Sequence, residues 1–135
     1  MGDHMQIGEV AERTRLSLRA IRYYEEVGLV VPSARSRGGF RLYTEPDVHR
    51  LGLIRRMKPL GFQLEEIRDL LDVLDPAPGA APVTEAHLAR LRAYCETAER
   101  RCAELRAKLE TAEQFAAVLQ ESVARSVSMP ADRPA

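Results

Sequence analysis

From Leu88 onward, apolar or small side chains recur at Leu88, Leu91, Cys95, Ala98, Cys102, Leu105, Leu109, Ala112, Ala116, Leu119 and Val123. The spacing alternates between three and four residues without a break, the pattern of a helix with one apolar seam that faces another helix. A lone helix cannot bury such a seam. The rest of the chain is a short N-terminal segment that needs its own core, so the pattern predicts a homodimer built on a coiled-coil helix over residues 84–126. About 40 helical residues would span about 60 Å. The periodicity leaves the polarity of the helix pair open. Ahead of the seam, residues 75–83 form a Pro/Ala linker, with Pro76, Pro78 and Pro82 forbidding a continuous helix. Residues 127–135 read as a disordered tail.

At 135 residues the chain can hold one compact domain and one extended element, but hardly two full domains. It contains no run of about 18 apolar residues and no charged-then-apolar leader, so the expectation is a cytoplasmic protein without a membrane partner. Met1-Gly2-Asp3-His4 reads as an expression remnant ahead of Met5. Formal net charge is zero, yet the charge is unevenly spread. Residues 13–58 carry eleven basic side chains against four acidic ones, a surplus of seven. A cationic module concealed in a neutral chain is the electrostatic footprint of phosphate binding.

Within that module, Ile7, Val10 and Ala11 mark a first helix over about residues 7–13. Ser17 is suited to cap a second, over about residues 18–27, with Gly28 just past its end. Two short helices with a tight connection read as helix-turn-helix. Leu29-Val30-Val31 and Phe40-Arg41-Leu42-Tyr43 are expected to pair as strands around a loop rich in Gly, Pro and Ser, forming a wing. Thr44-Glu45-Pro46-Asp47 has the cap, early proline and acid of a helix start, with Val48, Leu51, Ile54 and Met57 facing inward. Pro59-Leu60-Gly61 then breaks the chain before a fourth helix over residues 64–74, packed through Leu64, Ile67, Leu70 and Leu71.

The stretches Ala20-Ile21-Arg22-Tyr23-Tyr24-Glu25, Gly38-Gly39-Phe40-Arg41-Leu42-Tyr43 and Leu60-Gly61-Phe62-Gln63-Leu64-Glu65-Glu66-Ile67, followed by a long heptad helix, resemble the MerR family of transcription regulators. The motifs cover about residues 5–72, and beyond them the resemblance is architectural. It implies a mainly α fold: a winged helix-turn-helix DNA-binding domain over residues 5–74 and a long dimerisation helix. It also implies an antiparallel pair that holds two modules apart on a palindromic promoter, distorting it for RNA polymerase. The family often has Gly in the helix-turn-helix connection, where this chain would place Arg15 in a left-handed conformation. It commonly has a Ser cap where this chain has Gln63, so a weakly fastened helix start is expected there.

Candidate DNA contacts follow. Arg22 can grip a guanine edge or a phosphate through two parallel hydrogen bonds, and Tyr23 can donate its hydroxyl to a phosphate. Tyr24, three residues from Ile21, is open between a DNA contact and a core residue. Ser17 and Arg19 open the same helix, and Arg35 and Arg37 sit on the wing. The resemblance adds Arg41. Lys58 completes the set, although it could share a merely solvated face with Arg55 and Arg56. Tyr43 reads as structural.

Cys95 and Cys102 both fall on the seam, where a thiol behaves as a small hydrophobe and its thiolate is disfavoured. A thiol-based metal or redox sensor is the competing reading. His49 and His87 have no second ligand at metal spacing, so neither a metal site nor a cofactor is expected. No nucleophile, base and orienter occur together, and the chain does not read as an enzyme. The little sequence after Val123 leaves an effector-independent architectural DNA-binding protein as a further alternative.

The seam yields a direct expectation. Leu105→Asp would put an unpaired carboxylate into a buried layer, which is costly unless the helices separate. Light scattering is expected to show a monomer or a misfolded chain, and an unchanged dimer mass would refute this choice of seam.

Overall fold

The computed structural model describes residues 4–32 and 34–128. The chain divides into two compact units, Met1–Tyr94 and Cys95–Ala135. The first contains β1 (Met5–Gln6), α1 (Ile7–Thr14), α2 (Leu18–Glu26), β2 (Ala34–Arg35), β3 (Arg41–Tyr43), α3 (Glu45–Met57) and α4 (Leu64–Leu74). One helix, α5 (Glu85–Ser128), runs from the first unit through the second. The expected tail thus begins with two helical residues, Val127 and Ser128, and its remainder lies outside the described residues.

Local chemistry accounts for the short helices. Ser17 caps α2 by accepting the backbone N–H of Ala20 at 3.0 Å. Gly28, at φ 81°, takes the left-handed position just past the helix, which costs it no Cβ clash. Between α1 and α2, Arg15 occupies the left-handed region at φ 61° and ψ 25°, as its place in the connection required. For a residue with a Cβ that conformation carries about 1–2 kcal/mol of strain. At the head of α3, Thr44 donates its backbone N–H to Asp47 Oδ2 at 2.9 Å.

Two expectations need correction. The start of α4 is better fastened than Gln63 suggested, because Glu66 reaches back to accept the Gln63 backbone N–H at 2.7 Å. Leu29-Val30-Val31 is not a strand. The N–H groups of Leu29 and Val30 both turn back to the Tyr24 carbonyl, at 2.9 and 3.4 Å, closing the end of α2. Leu29 and Val30 bury their side chains in the core and leave Val31 outside, so the apolar run reflects burial of a connector. The wing is instead a three-stranded antiparallel sheet in the order β1-β3-β2. Its missing strand comes from the start of the chain, with Met5 opposite Tyr43 and Gln6 opposite Leu42. Two residues give too little alternation to be seen as a strand in sequence.

The core of this unit gathers Val10, Ile21, Tyr24, Leu29, Tyr43, Leu51, Ile54, Ile67 and Leu71. Arginines tie its edges. Arg50 Nε donates to the Leu29 carbonyl at 2.6 Å, and its Nη1 donates to the carbonyl and carboxylate of Asp75 at 3.1 and 3.2 Å. Arg68 donates to the Val27 carbonyl at 2.9 Å. The segment after α2 is therefore held from both α3 and α4. Past the linker, Thr84 and His87 fasten the start of α5: the His87 N–H donates to Thr84 Oγ1 at 3.2 Å, and the Thr84 N–H to His87 Nδ1 at 3.1 Å. His87 is a helix cap. On α5 the seam residues Leu105, Leu109, Leu119 and Val123 are exposed in the single chain.

Arg50→Ala would leave two carbonyls short of a donor, a loss of about 1–3 kcal/mol. The urea midpoint followed by tyrosine fluorescence, which reports Tyr23, Tyr24, Tyr43 and Tyr94, is expected to fall. An unchanged midpoint would show that Arg50 does not tie α3 to its neighbours.

Candidate nucleic-acid interface

The capped first turn of α2 and the last turn of α3 form the walls of an open groove of about 910 Å³. Ser17, Arg19 and Tyr23 line one side, and Arg55, Arg56 and Lys58 the other, with Arg15 at the entrance. No carboxylate lines it. None of the five cations Arg15, Arg19, Arg55, Arg56 and Lys58 is held in an ion pair among the described residues. An unpaired cluster beside a helix N-terminus favours an anion, since the exposed N–H groups of the first turn add to the field. Ser17, Arg19, Tyr23 and Lys58 were candidates in the sequence and are brought together here.

Arg55 and Arg56 could have been a solvated face, and Arg15 was noted only for its backbone. What gathers them is the chain reversal at Lys58–Leu60, a short 3-10 turn, and the strained corner at Arg15. Their shared side becomes visible only when α2 and α3 are packed.

Tyr24 resolves in favour of the core. At 4% exposure it cannot present its ring to a duplex; it meets Tyr23 edge-on at 5.7 Å between ring centroids. The Lys58 ammonium lies 6.0 Å from its ring centre, within cation–π range. Its assignment as a DNA contact is therefore corrected to support of Tyr23, which remains about half exposed.

A second cluster sits where α2 meets the wing. Arg22 and Arg41 line a small pocket of about 130 Å³ with Gln6, Ile7, Gly39 and Phe40. Arg41 is less free than a wing contact would require, because it forms an ion pair with Glu25. The same carboxylate accepts the Tyr43 hydroxyl at 2.7 Å. Burial and this bond to Glu25 push the Tyr43 hydroxyl well above the ordinary tyrosine range, so it stays a donor. Glu25 thus joins the recognition-helix position to the middle strand of the wing, a role that its acidic character hid in a search for cations.

The wing pair divides. Arg35, also exposed, is tied to its own loop, donating to the Gly39 carbonyl at 3.0 Å. Arg37 is exposed at the tip, where Ser36 accepts the N–H of Gly39 at 2.9 Å.

On α5, Cys95 and Cys102 are exposed in the single chain. A hydrogen bond from Cys95 Sγ to Glu99 at 3.3 Å pushes that thiol up from its ordinary value, away from the reactive thiolate. Leu88, Ala98, Ala112 and Ala116 lie on the same helix and, with Leu91, complete the sequence-derived seam.

A capped second helix, a tight corner, a three-stranded wing and a cationic groove together define a winged helix-turn-helix module. The family description "MerR HTH family regulatory protein" matches residues 5–74, and "MerR, DNA binding" matches residues 48–122. The chain belongs to the MerR family. It is 41% identical over 88 residues to the HTH-type transcriptional regulator CueR of Salmonella typhi, covering 64% of each protein. It is 47% identical over 72 residues to the HTH-type transcriptional regulator ZntR of Escherichia coli, covering 53% of this chain and 51% of that protein. The matched stretches span less than two thirds of these relatives' lengths. Among solved structures, a transcription regulator from Ralstonia metallidurans in complex with lead(II) is 30% identical, with a TM-score of 0.55, covering 96% of this chain and 91% of that one. The fold is shared with HiNmlR, described as a MerR family regulator lacking the sensor domain and bound to promoter DNA, at 23% identity and a TM-score of 0.66, covering 90% and 94%. Among the described residues, no helix is long and apolar enough to cross a membrane.

Arg15→Gly separates strain from function at the groove entrance. Removing the Cβ is expected to stabilise the module by about 1 kcal/mol while weakening duplex binding through the lost cation. Thermal melting and a binding titration on the same variant check both arms. A variant no more stable than its parent would remove strain from the account of this corner, and unchanged affinity would remove Arg15 from the interface.

Proposed function

We propose that the protein is a homodimeric, sequence-specific transcription regulator that binds a palindromic promoter element. The observation that carries this is the acid-free groove at the start of α2, which places five cations beside the helix that a winged helix-turn-helix module inserts into the major groove. Arg19, Arg55, Arg56, Lys58 and Arg15 engage phosphates and set the register. Arg22 reads base edges from the exposed face of α2, and Arg37 adds a phosphate contact from the wing tip.

Family membership supports two modules joined through α5 and acting on one duplex. Two modules at a fixed separation can exchange phosphate contacts for bending and untwisting of the DNA between them, a deformation that costs on the order of 1–6 kcal/mol. Such distortion realigns promoter elements for RNA polymerase, so activation is a geometric switch.

The test is a fluorescence-anisotropy titration against operator and scrambled duplexes at several salt concentrations. Arg22→Ala is expected to cost about 1–3 kcal/mol on the operator and little on scrambled DNA. Arg37→Ala is expected to weaken both duplexes alike and to flatten the salt dependence by about one counterion. Operator binding by Arg22→Ala at parental affinity would sink the assignment of α2 as the reading helix.

A further inference from the structure

Two copies pairing along α5 leave open which residues meet, and the answer decides what the cysteines can do. Resting on the proposed dimer and on the antiparallel arrangement that the family resemblance implies, we propose its register: Cys102 packs against the partner's Leu105, and Ala98 against the partner's Leu109. The α5 helix is continuous over the whole seam, so heptad geometry fixes every other pairing once one is chosen.

Side-chain volume argues against a parallel pair. In that arrangement each seam residue meets its own copy, so Cys95, Ala98 and Cys102 would form three consecutive small layers, and Ala112 and Ala116 two more between Leu109 and Leu119. Such runs of small layers leave voids, each costing contacts along its lining. The proposed antiparallel register sets large against small instead. Leu91 meets the partner's Ala116, and the Ala98 and Cys102 layers are each filled by a leucine. Leu88 meets the partner's Leu119, and only the layer of Cys95 with the partner's Ala112 stays small.

Moving one heptad spoils the volume match in one direction only. One shift puts Ala98 on the partner's Cys102 but faces Cys95 and Ala112 with leucines, so it has as few small layers as the proposed register and only the flanking charges exclude it. The other puts Ala98 on the partner's Ala116 and Cys102 on the partner's Ala112.

The flanking charges select the same register independently. In an antiparallel pair, positions just outside the seam meet their own kind across the interface. Here Glu99 faces the partner's Arg106, and Arg92 faces the partner's Glu113, each pair occurring twice by symmetry. Phe115, exposed outside the seam in the single chain, faces the partner's Tyr94. The one unfavourable flank sets Arg101 against the partner's Lys108. Both shifted registers are worse: one brings Glu99 onto the partner's Glu99 and Arg92 onto the partner's Arg106, and the other brings Arg106 onto the partner's Arg106 and Glu99 onto the partner's Glu113.

The consequence for the thiols reverses a simple expectation from symmetry. Cys102 lies near the middle of the seam, which favours a bridge between the two copies. In this register, however, it sits opposite a leucine, and its own copy is displaced by three residues, about 4.5 Å along the helix. Both native thiols are packed against apolar partners, and neither faces a thiol.

The test uses the full chain with both native cysteines replaced by alanine (C95A/C102A), treated with a short bis-maleimide after its mass is measured by light scattering. Ala98→Cys with Leu109→Cys is expected to give a covalent dimer in high yield. Ala98→Cys alone reports a parallel pair, Ala98→Cys with Ala116→Cys reports one shifted register, and Leu91→Cys with Leu109→Cys reports the other; all three are expected to stay mostly uncoupled. A dimer that couples best in any of these controls overturns the register and leaves the dimer standing, whereas a monomeric mass overturns the dimer and the register with it. Glu99→Arg and Arg106→Glu are each expected to weaken dimerisation about tenfold, and the two together to restore most of it. Absence of restoration overturns the Glu99–Arg106 pairing.

Discussion

The carboxylate of Glu25 is the joint on which the DNA-facing side of the molecule depends. It accepts the Tyr43 hydroxyl at 2.7 Å and pairs with Arg41, so a residue on the helix is bonded to two residues of the central wing strand. Neither α2 nor a sheet of two- and three-residue strands is long enough to be stable alone. With the joint in place, Arg22 on the helix and Arg41 on the wing line one pocket. The acid inside a cationic surface has a second effect, because it pairs with Arg41 and leaves the unpaired cations gathered in the groove at the start of α2.

Arginine consequently serves three purposes in one module. Arg50 and Arg68 are structural, donating to carbonyls that the end of α2 leaves open. Arg41 and Arg13 are paired with Glu25 and Glu45. Arg15, Arg19, Arg55 and Arg56 stay unpaired at the groove. A surplus of positive charge in sequence is thus an upper limit on the charge available to a ligand. Only packing tells a hydrogen-bond donor to the backbone from a phosphate contact.

Much of the fold was legible from short-range chemistry. The Ser17 cap, the Gly28 terminus and the Thr44 to Asp47 helix start depend on neighbours within four residues, so sequence contains all that determines them. Arg15 was legible for the same reason, since the tight connection leaves that residue no other conformation. The wing was not, because β1 pairs with a strand more than thirty residues away and is too short to alternate. Leu29-Val30-Val31 misled because burial and strand propensity draw on the same residue types. At the site, Arg22, Arg19 and Lys58 could be found by charge and position, whereas Tyr24 needed the core around it. Arg55 and Arg56 needed the turn at Lys58–Leu60, and Glu25 needed the wing.

The pairing of Met5 with Tyr43 gives the beginning of the chain an unexpected importance. β1 is an edge strand whose partner, β3, carries Arg41 and touches Glu25 through Tyr43. Anything attached just ahead of Met5 is covalently joined to the wing, and trimming the first six residues takes one strand out of a three-stranded sheet. A fluorescent protein, affinity handle or surface tether placed at that end would act on the DNA-facing side of the module before it reported anything.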